Sequence, residues 1–192
     1  MRIQIAVVVA VIFGSSFIDA EIETEADIVS RLGVIFMSTF FVGVICLQTV
    51  IPAGAEERIV FYREQAGNMY NVWAYGIGYA VAELPYILVI TLAFCSIFYW
   101  VTELADSVDQ FFFYWLYFFL WTVLTVFMGM MLVMVLPDSQ VAQTVGGPLT
   151  TVFSIFAGFM ISPAQIPDGW LAMYYLNPLH YIIEVGHDII HV

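Results

Sequence analysis

Five apolar runs, separated by short polar segments, restrict the fold of this chain more than any other feature. They cover residues 3–18, 28–51, 71–101, 110–136 and 141–161. About 20 consecutive apolar residues in a helix cross the hydrocarbon core of a bilayer. Hydrophobic residues make up 62% of the 192 residues, and a soluble domain of this size cannot bury so much apolar surface. We therefore predict an all-α polytopic membrane protein with about five transmembrane helices, one for each run.

Local signals bear on where these helices begin and end. The first run follows Arg2 and is at the short limit for a span, and a secretory signal cleaved after Ala20 would have a similar pattern. Pro52 and Gly54 predict the end of the second helix, because proline lacks the backbone N–H that continues the hydrogen-bond ladder. For the same reason, Gly146-Gly147-Pro148 predicts an interruption of the fifth helix.

Residues 52–70 form a polar segment with charges of both signs between the second and third runs. Two of the four Arg of the chain, Arg58 and Arg63, lie here with three Glu. Cytoplasmic loops of membrane proteins are enriched in Lys and Arg, so we expect this segment to face the cytosol. Glu57 and Phe61 are four residues apart, which favours a short amphipathic helix. Such a helix can receive a push from a soluble partner; alternatively, the segment is a solvated loop that only orients the protein.

The segments expected on the other side of the membrane are acidic or rich in aromatic residues. With Arg2 in the cytosol, the acidic segment 19–27 is extracellular. Residues 162–192 contain Pro, Gly, Trp and Tyr in a pattern that breaks long helices, which predicts an extracellular loop with short helices. The formal net charge is −12, and the sequence has no Lys and no basic patch. This composition argues against nucleic-acid binding.

Few side chains suggest chemistry. Cys46 and Cys95 lie inside apolar runs, where packing is the usual role of a thiol. The sequence has no P-loop or other Gly-rich phosphate loop, and it suggests no Ser/His/Asp set. We therefore expect no catalytic residue, no ATP hydrolysis within the chain and no cofactor bound by it.

Glu83 is an ionisable residue inside the third predicted span, two residues before Pro85. Ionisable residues in membranes commonly face the interior of a helix bundle or a water-filled path. Three interpretations are open. Glu83 is a carboxylate in water at the cytoplasmic end of the helix, paired with Arg58 or Arg63; or it belongs to a buried structural pair; or it has a direct role in transport.

The spacing of His180, Glu184, His187 and His191 places them on one face of a helix. Imidazole and carboxylate groups at this spacing can bind zinc or a similar ion. The alternative is an amphipathic helix at the membrane interface, because three turns of one helix do not specify a complete set of ligands. We predict no metal site.

Several short motifs occur in a fixed order along the chain. The most specific is Glu57-Arg58-x-Val60-Phe61-Tyr62-Arg63-Glu64, followed by Met69-Tyr70. The others are Glu83-Leu84-Pro85-Tyr86, Pro137-Asp138-Ser139-Gln140, Ala157-Gly158-Phe159 with Ile166-Pro167, and Asn177-Pro178-Leu179-His180-Tyr181. Together they resemble the ABC-2 type membrane domain of the G-type, or pleiotropic drug resistance, ABC transporters. The resemblance covers nearly the whole chain.

This resemblance implies roles for particular residues. Residues 56–66 would be the coupling helix that docks on a nucleotide-binding domain, where ATP and Mg²⁺ are bound. The contact residues would be Glu57, Arg58, Phe61, Tyr62, Arg63 and Glu64. The second and fifth spans would line the substrate path, with Phe36, Phe40, Phe153 and Phe156 as candidates. Residues 162–192 would form an outer cap.

We thus expect the membrane part of a transporter, in the plasma membrane, that moves amphipathic, lipid-like or xenobiotic molecules with ATP hydrolysed elsewhere. Its partners would be a nucleotide-binding domain, a second transmembrane half and the lipid bilayer. The family has six spans and a fused nucleotide-binding domain, so the sequence resembles a fragment or a truncated product. The alternatives are a non-transporting accessory membrane protein, an inactive truncated gene product, or a small autonomous channel, which the scarcity of polar residues in the spans disfavours.

Overall fold

The fold is known from a computed structural model that describes residues 2–15, 25–69, 71–102, 108–161 and 166–190. Within these ranges the regular structure is helical, as predicted. The helices are α1 (Arg2–Ser15), α2 (Glu25–Ala66), α3 (Val72–Val101), α4 (Val108–Val135), α5 (Ser139–Ile155), α6 (Leu171–Leu176) and α7 (Pro178–Ile190), with a 3-10 turn at Asp168–Trp170. The acidic segment 19–27 and the loop after α3 lie largely outside the described residues.

The second helix does not end at Pro52 and Gly54, so that prediction was wrong. α2 is continuous over 42 residues and includes both the second apolar run and the polar segment. A proline removes one backbone hydrogen bond, here the bond to the carbonyl of Gln48, and tertiary contacts on both sides can hold the helix together. Gly54 is buried, and a Cβ there would lie 2.8 Å from Val133 Cγ1. Its role is therefore to let α2 approach α4 closely, not to end the helix.

Among the described residues, three helices are long and apolar enough to cross a membrane, namely Asp27–Ala66, α3 and α4. α1 has 14 residues and α5 has 17, fewer than the roughly 20 of a complete span. α5 passes through Gly146, Gly147 and Pro148 without the predicted interruption and ends at Ile155, earlier than the apolar run suggested. Gly158, at φ 90°, then turns the chain in a conformation that other residues rarely adopt.

α2 is the centre of the bundle and packs against α1, α4, α5 and α7. The contact with α4 depends on glycine, as is common between membrane helices. A Cβ at Gly43 would collide with the indole of Trp121, and a Cβ at Gly129 would lie 3.2 Å from the carbonyl oxygen of Leu47. Trp121 is fully buried, and its Nε1 donates to the carbonyl of Thr39 at 3.1 Å. Small residues therefore let the two helices approach to hydrogen-bonding distance.

Two polar contacts hold the opposite end of the bundle. Arg31, near the start of α2, donates to the carbonyl of Thr102 at the C-terminus of α3, with an N–O distance of 3.5 Å. Asn177, between α6 and α7, donates its Nδ2 to the carbonyl of Phe153 at 2.6 Å. The carbonyls at a helix C-terminus lack intrahelical partners, and these side chains satisfy them. Short helices after α5, predicted from the Pro and Gly content, are therefore fixed to the transmembrane bundle.

Candidate functional site

The predicted coupling segment is the C-terminal part of α2, residues 56–66, and its helix ends in a defined way. The N–H of Gly67 bonds to the carbonyl of Arg63 at 3.2 Å, and that of Met69 bonds to the carbonyl of Glu64 at 3.2 Å. Asn68 has φ 57°, the left-handed conformation that closes many helices. The side chain of Asn71 then accepts from the N–H of Trp73 at 3.2 Å and caps α3. α2 and α3 are thus joined by a short, hydrogen-bonded turn.

Arg58 fastens this segment to the end of α4. Its Nη1 donates to the carbonyls of Val133 at 2.7 Å and Leu136 at 2.5 Å, and its Nη2 donates to the carbonyl of Pro137 at 2.8 Å. Carbonyls at a helix C-terminus lack intrahelical partners, and the helix dipole favours a cation there. Arg58 therefore links α2 to the turn that joins α4 and α5. Its guanidinium faces the bundle, unlike a charge presented only to a docking partner.

The other residues of the motif divide into an exposed and a buried set. Glu57, Tyr62 and Arg63 are exposed, and Glu64 is half-buried. Phe61 is only 8% exposed and stacks on Tyr75 of α3, with ring centroids 4.3 Å apart. The helix thus presents Glu57 and Arg63 outward, and the ring of Phe61 anchors it to α3 as Arg58 anchors it to α4.

The carboxyl group of Glu57 has a raised pKa. Partial removal from water is the first cause, and repulsion from the carboxylate of Glu83 is the second. The outward face of the segment is thus electrostatically linked to the intramembrane carboxylate one helix away.

Glu83 is paired with Arg2, a partner that the sequence did not suggest. The Nη1 of Arg2 donates to Oε2 of Glu83 at 2.8 Å, and the two side chains are 21% and 13% exposed. Arg2 also donates to the carbonyl of Thr49 at 3.4 Å. The structure therefore favours the interpretation as a structural pair, which joins α1, α2 and α3. In the structure, Glu83 is paired with neither Arg58 nor Arg63.

The four phenylalanines predicted for the substrate path fall into two separate groups. Phe36 of α2 is 2% exposed and stacks on Phe159 at 5.0 Å, while Phe40 lies 6.3 Å from Phe36 along the helix. Phe153 and Phe156 of α5 are half-buried, and Phe156 stacks on Trp170 at 5.0 Å. Among the described residues, neither α2 ring stacks on either α5 ring. Their role in a substrate path stays a prediction.

The histidine-rich face lies on α7, except for His191, which is outside the described residues. His180 packs against the ring of Tyr174 with centroids 4.0 Å apart, and its Nε2 lies 3.6 Å from the carboxylate of Glu184. Burial lowers the pKa of His180, and the charge of Glu184 opposes this effect. In the part of the chain that the structure describes, no group of three or more His, Cys, Asp or Glu could hold a metal ion. Of this face, His180 packs between α6 and α7, whereas Glu184 and His187 are exposed.

Sequence reasoning missed the contacts that hold the site together. The carbonyls bound by Arg58 are 75 to 79 residues away in the sequence. Every residue has a backbone carbonyl, so the residue types do not indicate which carbonyls accept these bonds. Arg2 and Glu83 were each noticed, and two opposite charges in apolar surroundings are a usable signal for pairing. The partner was missed because Arg2 was interpreted only as an orientation signal.

Comparison with known proteins identifies the family of this chain. The profile of the family described as ABC-2 type transporter matches residues 1–190. ABC transporter G family member 38 of Oryza sativa subsp. japonica is 34% identical over 186 residues, covering 95% of this chain and 12% of that protein. Pleiotropic drug resistance protein 1 of Petunia hybrida is 30% identical over 185 residues, covering 95% of this chain and 13% of that protein. The chain thus spans about an eighth of the length of these curated relatives. It is a multi-pass membrane protein that belongs to the ABC-2 type transporter family, and it corresponds to the membrane part of transporters of the G or pleiotropic drug resistance type.

Proposed function

We propose that residues 56–66 receive the motion of a nucleotide-binding domain and pass it to the transmembrane helices, so that ATP hydrolysis outside this chain drives transport. The observation that carries this proposal is the continuity of α2. One helix of 42 residues contains both the exposed charges of Glu57 and Arg63 and the apolar run that crosses the membrane. A force on its exposed end therefore acts on the span without an intervening loop.

Arg58 provides a second connection through which the same force can act on the bundle. Its three bonds go to carbonyls at the end of α4 and to Pro137, two residues before α5 begins. Displacement of the coupling segment would therefore move α2, α4 and α5 together. The buried ring of Phe61, stacked on Tyr75, adds α3 to this connection.

We further propose that the transported molecules are amphipathic, lipid-like or xenobiotic, and that a second transmembrane half completes the path in the plasma membrane. The candidate path residues Phe36, Phe40, Phe153 and Phe156 are aromatic, and the faces of α2 and α5 that carry them hold few polar groups. Apolar pockets with a few hydrogen-bonding groups suit such ligands. The name of the petunia relative, pleiotropic drug resistance protein 1, supports a xenobiotic substrate.

The coupling role is tested by Arg63→Ala, with Gln65→Ala as the matched control on the same exposed turn. Both variants are made in the transporter that contains this chain, purified and reconstituted in vesicles. Because both side chains are exposed, each truncation should change stability by no more than about 0.5 kcal/mol. We expect Arg63→Ala to retain ATP hydrolysis but to lose most transport per ATP hydrolysed, while Gln65→Ala behaves like the parent protein.

Normal transport per ATP in Arg63→Ala would reject the coupling role and favour a segment that only orients the protein. A loss in both variants would show a general defect of the surface and would also count against a specific contact by Arg63.

The path is tested by Phe40→Ala and Phe153→Ala with several substrates of different shape. If these rings contact the ligand, the rank order of substrates should change, because each ligand loses a different contact. A uniform loss that follows the amount of folded protein would instead assign both rings to packing.

A further inference from the structure

We propose that a cavity beneath the coupling segment is a binding site for a flat aromatic molecule. The cavity has a volume of about 410 Å³ and lies between the end of α2, the start of α3 and the end of α4. Its walls include Phe61, Tyr75, Tyr79, Phe127, Met130 and Met134. The volume is within the range of about 300–1,000 Å³ that small-molecule sites occupy. None of the four path phenylalanines lines it, so it is separate from the proposed substrate path.

The walls favour an aromatic ligand over a flexible chain. Phe61 and Tyr75 stack at 4.3 Å with an angle of 27° between their planes, and Tyr75 and Tyr79 lie at 6.0 Å and 24°. The three rings form a nearly parallel series contributed by α2 and α3. α4 contributes thioethers from Met130 and Met134. Aromatic rings bind offset-stacked partners, and methionine sulfur makes favourable contacts with ring edges.

Tyr79 contributes its ring to the wall and not its hydroxyl. The hydroxyl oxygen is buried, with no hydrogen-bond partner among the described residues, and it lies against α2, where a Cβ at Gly54 would be 3.0 Å away. A molecule in the cavity therefore does not reach this oxygen. The lining is otherwise mostly apolar, which favours an aromatic ring system that needs no polar substituent.

A molecule bound in this cavity would contact the coupling segment directly. Phe61 and Tyr62 of the motif are both wall residues, so a bound molecule would fix the end of α2 against α3 and α4. The binding itself does not depend on the proposed coupling role, and it can be measured in the absence of ATP.

The test uses pyrene, a fluorescent flat aromatic molecule, and the purified protein in lipid nanodiscs. Two glycines of α3 provide matched variants. Gly76 lines the cavity, whereas Gly78 does not, and a Cβ at either position meets no other atom within 4 Å. Gly76→Leu should therefore fill the cavity without disturbing the fold, and Gly78→Leu should add the same side chain to α3 elsewhere.

We expect saturable fluorescence transfer from tryptophan to the probe in the parent protein and in Gly78→Leu, and at least a tenfold weaker affinity in Gly76→Leu. Tyr79→Phe should leave binding of pyrene unchanged, because the Tyr79 hydroxyl is buried away from the cavity. A signal that is not saturable and falls only with the lipid-to-protein ratio would show that bilayer chains fill the cavity, and would overturn the proposal. Equal binding by the two leucine variants would also overturn it.

Discussion

At the scale of single residues, we expect the ion pair of Arg2 and Glu83 to be the contact whose removal lowers the free energy of unfolding most. Breaking one side of a buried pair costs about 3–5 kcal/mol because a charge stays behind without a partner. Arg2 is 21% exposed, so we expect a smaller loss of about 1–3 kcal/mol for Glu83→Gln. Arg2→Gln should cost a similar amount, and the double variant should cost clearly less than the sum. Equilibrium unfolding of the four proteins in detergent measures these values.

The matched control is Glu56→Gln, which removes an exposed carboxylate. It should leave the free energy of unfolding nearly unchanged. Strictly additive losses for Arg2→Gln and Glu83→Gln would contradict a direct interaction between the two side chains.

His180 should make the outer end of the protein less stable in mild acid. Its pKa in the folded protein is below the ordinary value of 6.5, because burial disfavours the charged imidazolium. The unfolded protein therefore binds a proton more readily, so the stability due to neutral His180 is complete above the unfolded pKa and is lost as the pH falls through the folded pKa. The neighbours that face the ring are Tyr174, Tyr181 and Glu184. Only Glu184 opposes the effect.

The measurement is the thermal midpoint at pH values of about 7.5 and 5.5, on either side of the ordinary histidine pKa. We expect the fall in the midpoint to be smaller in His180→Gln than in the parent protein. The exposed His187 offers a comparison on the same helix, and His187→Gln should fall as the parent does. An identical fall in all three proteins would assign the pH dependence to other groups.

At the scale of helices, Gly129 should not tolerate even a methyl group. An added Cβ would lie 2.5 Å from Val50 Cγ1 and 3.2 Å from the carbonyl oxygen of Leu47. The backbone of α2 cannot move away without losing its own packing, so Gly129→Ala should destabilise the bundle by about 1–3 kcal/mol. Gly78→Ala is the control, since a Cβ there meets nothing within 4 Å. It should stabilise α3 by roughly 0.5–1 kcal/mol through helix propensity.

Opposite signs for these two substitutions, measured by unfolding in detergent, would confirm that close approach of α2 and α4 depends on glycine. A stabilising Gly129→Ala would show instead that α4 can shift relative to α2 at little cost.

The elements show which parts of the fold follow from local sequence. Apolar runs predicted α3 and α4 to within two residues at each end, because a span is long and uniform. The continuity of α2 through Pro52 was not predictable in this way. It depends on Arg58 and on the burial of Gly54 against α4, and both are contacts between residues far apart in the sequence. The same limit explains why the sequence suggests motif residues for the coupling segment but not which of them face inward or outward.

At the scale of the whole molecule, the length of α2 determines how far the protein reaches beyond the membrane. A helix of 42 residues is about 63 Å long, roughly twice the hydrocarbon thickness of about 30 Å. The apolar part, 28–51, accounts for a complete span, so the remaining turns, with Arg58 and Arg63, project from one face. From the positive charges we expect that face to lie in the cytosol. The turn after α4 is on the same side, because Arg58 bonds to it.

Single cysteines at Gln65 and Gly169 test this orientation. Both positions are exposed, whereas the native Cys46 and Cys95 are buried and should react slowly. If residues 56–66 are cytosolic and residues 162–192 extracellular, as the sequence predicts, an impermeant thiol reagent should label Gly169→Cys on intact cells. Gln65→Cys should be labelled only after permeabilisation. Labelling of both on intact cells would reject the orientation, as would labelling of Gln65→Cys alone. The second result would reverse the protein in the membrane and place the proposed coupling segment where no ATP-hydrolysing domain could reach it.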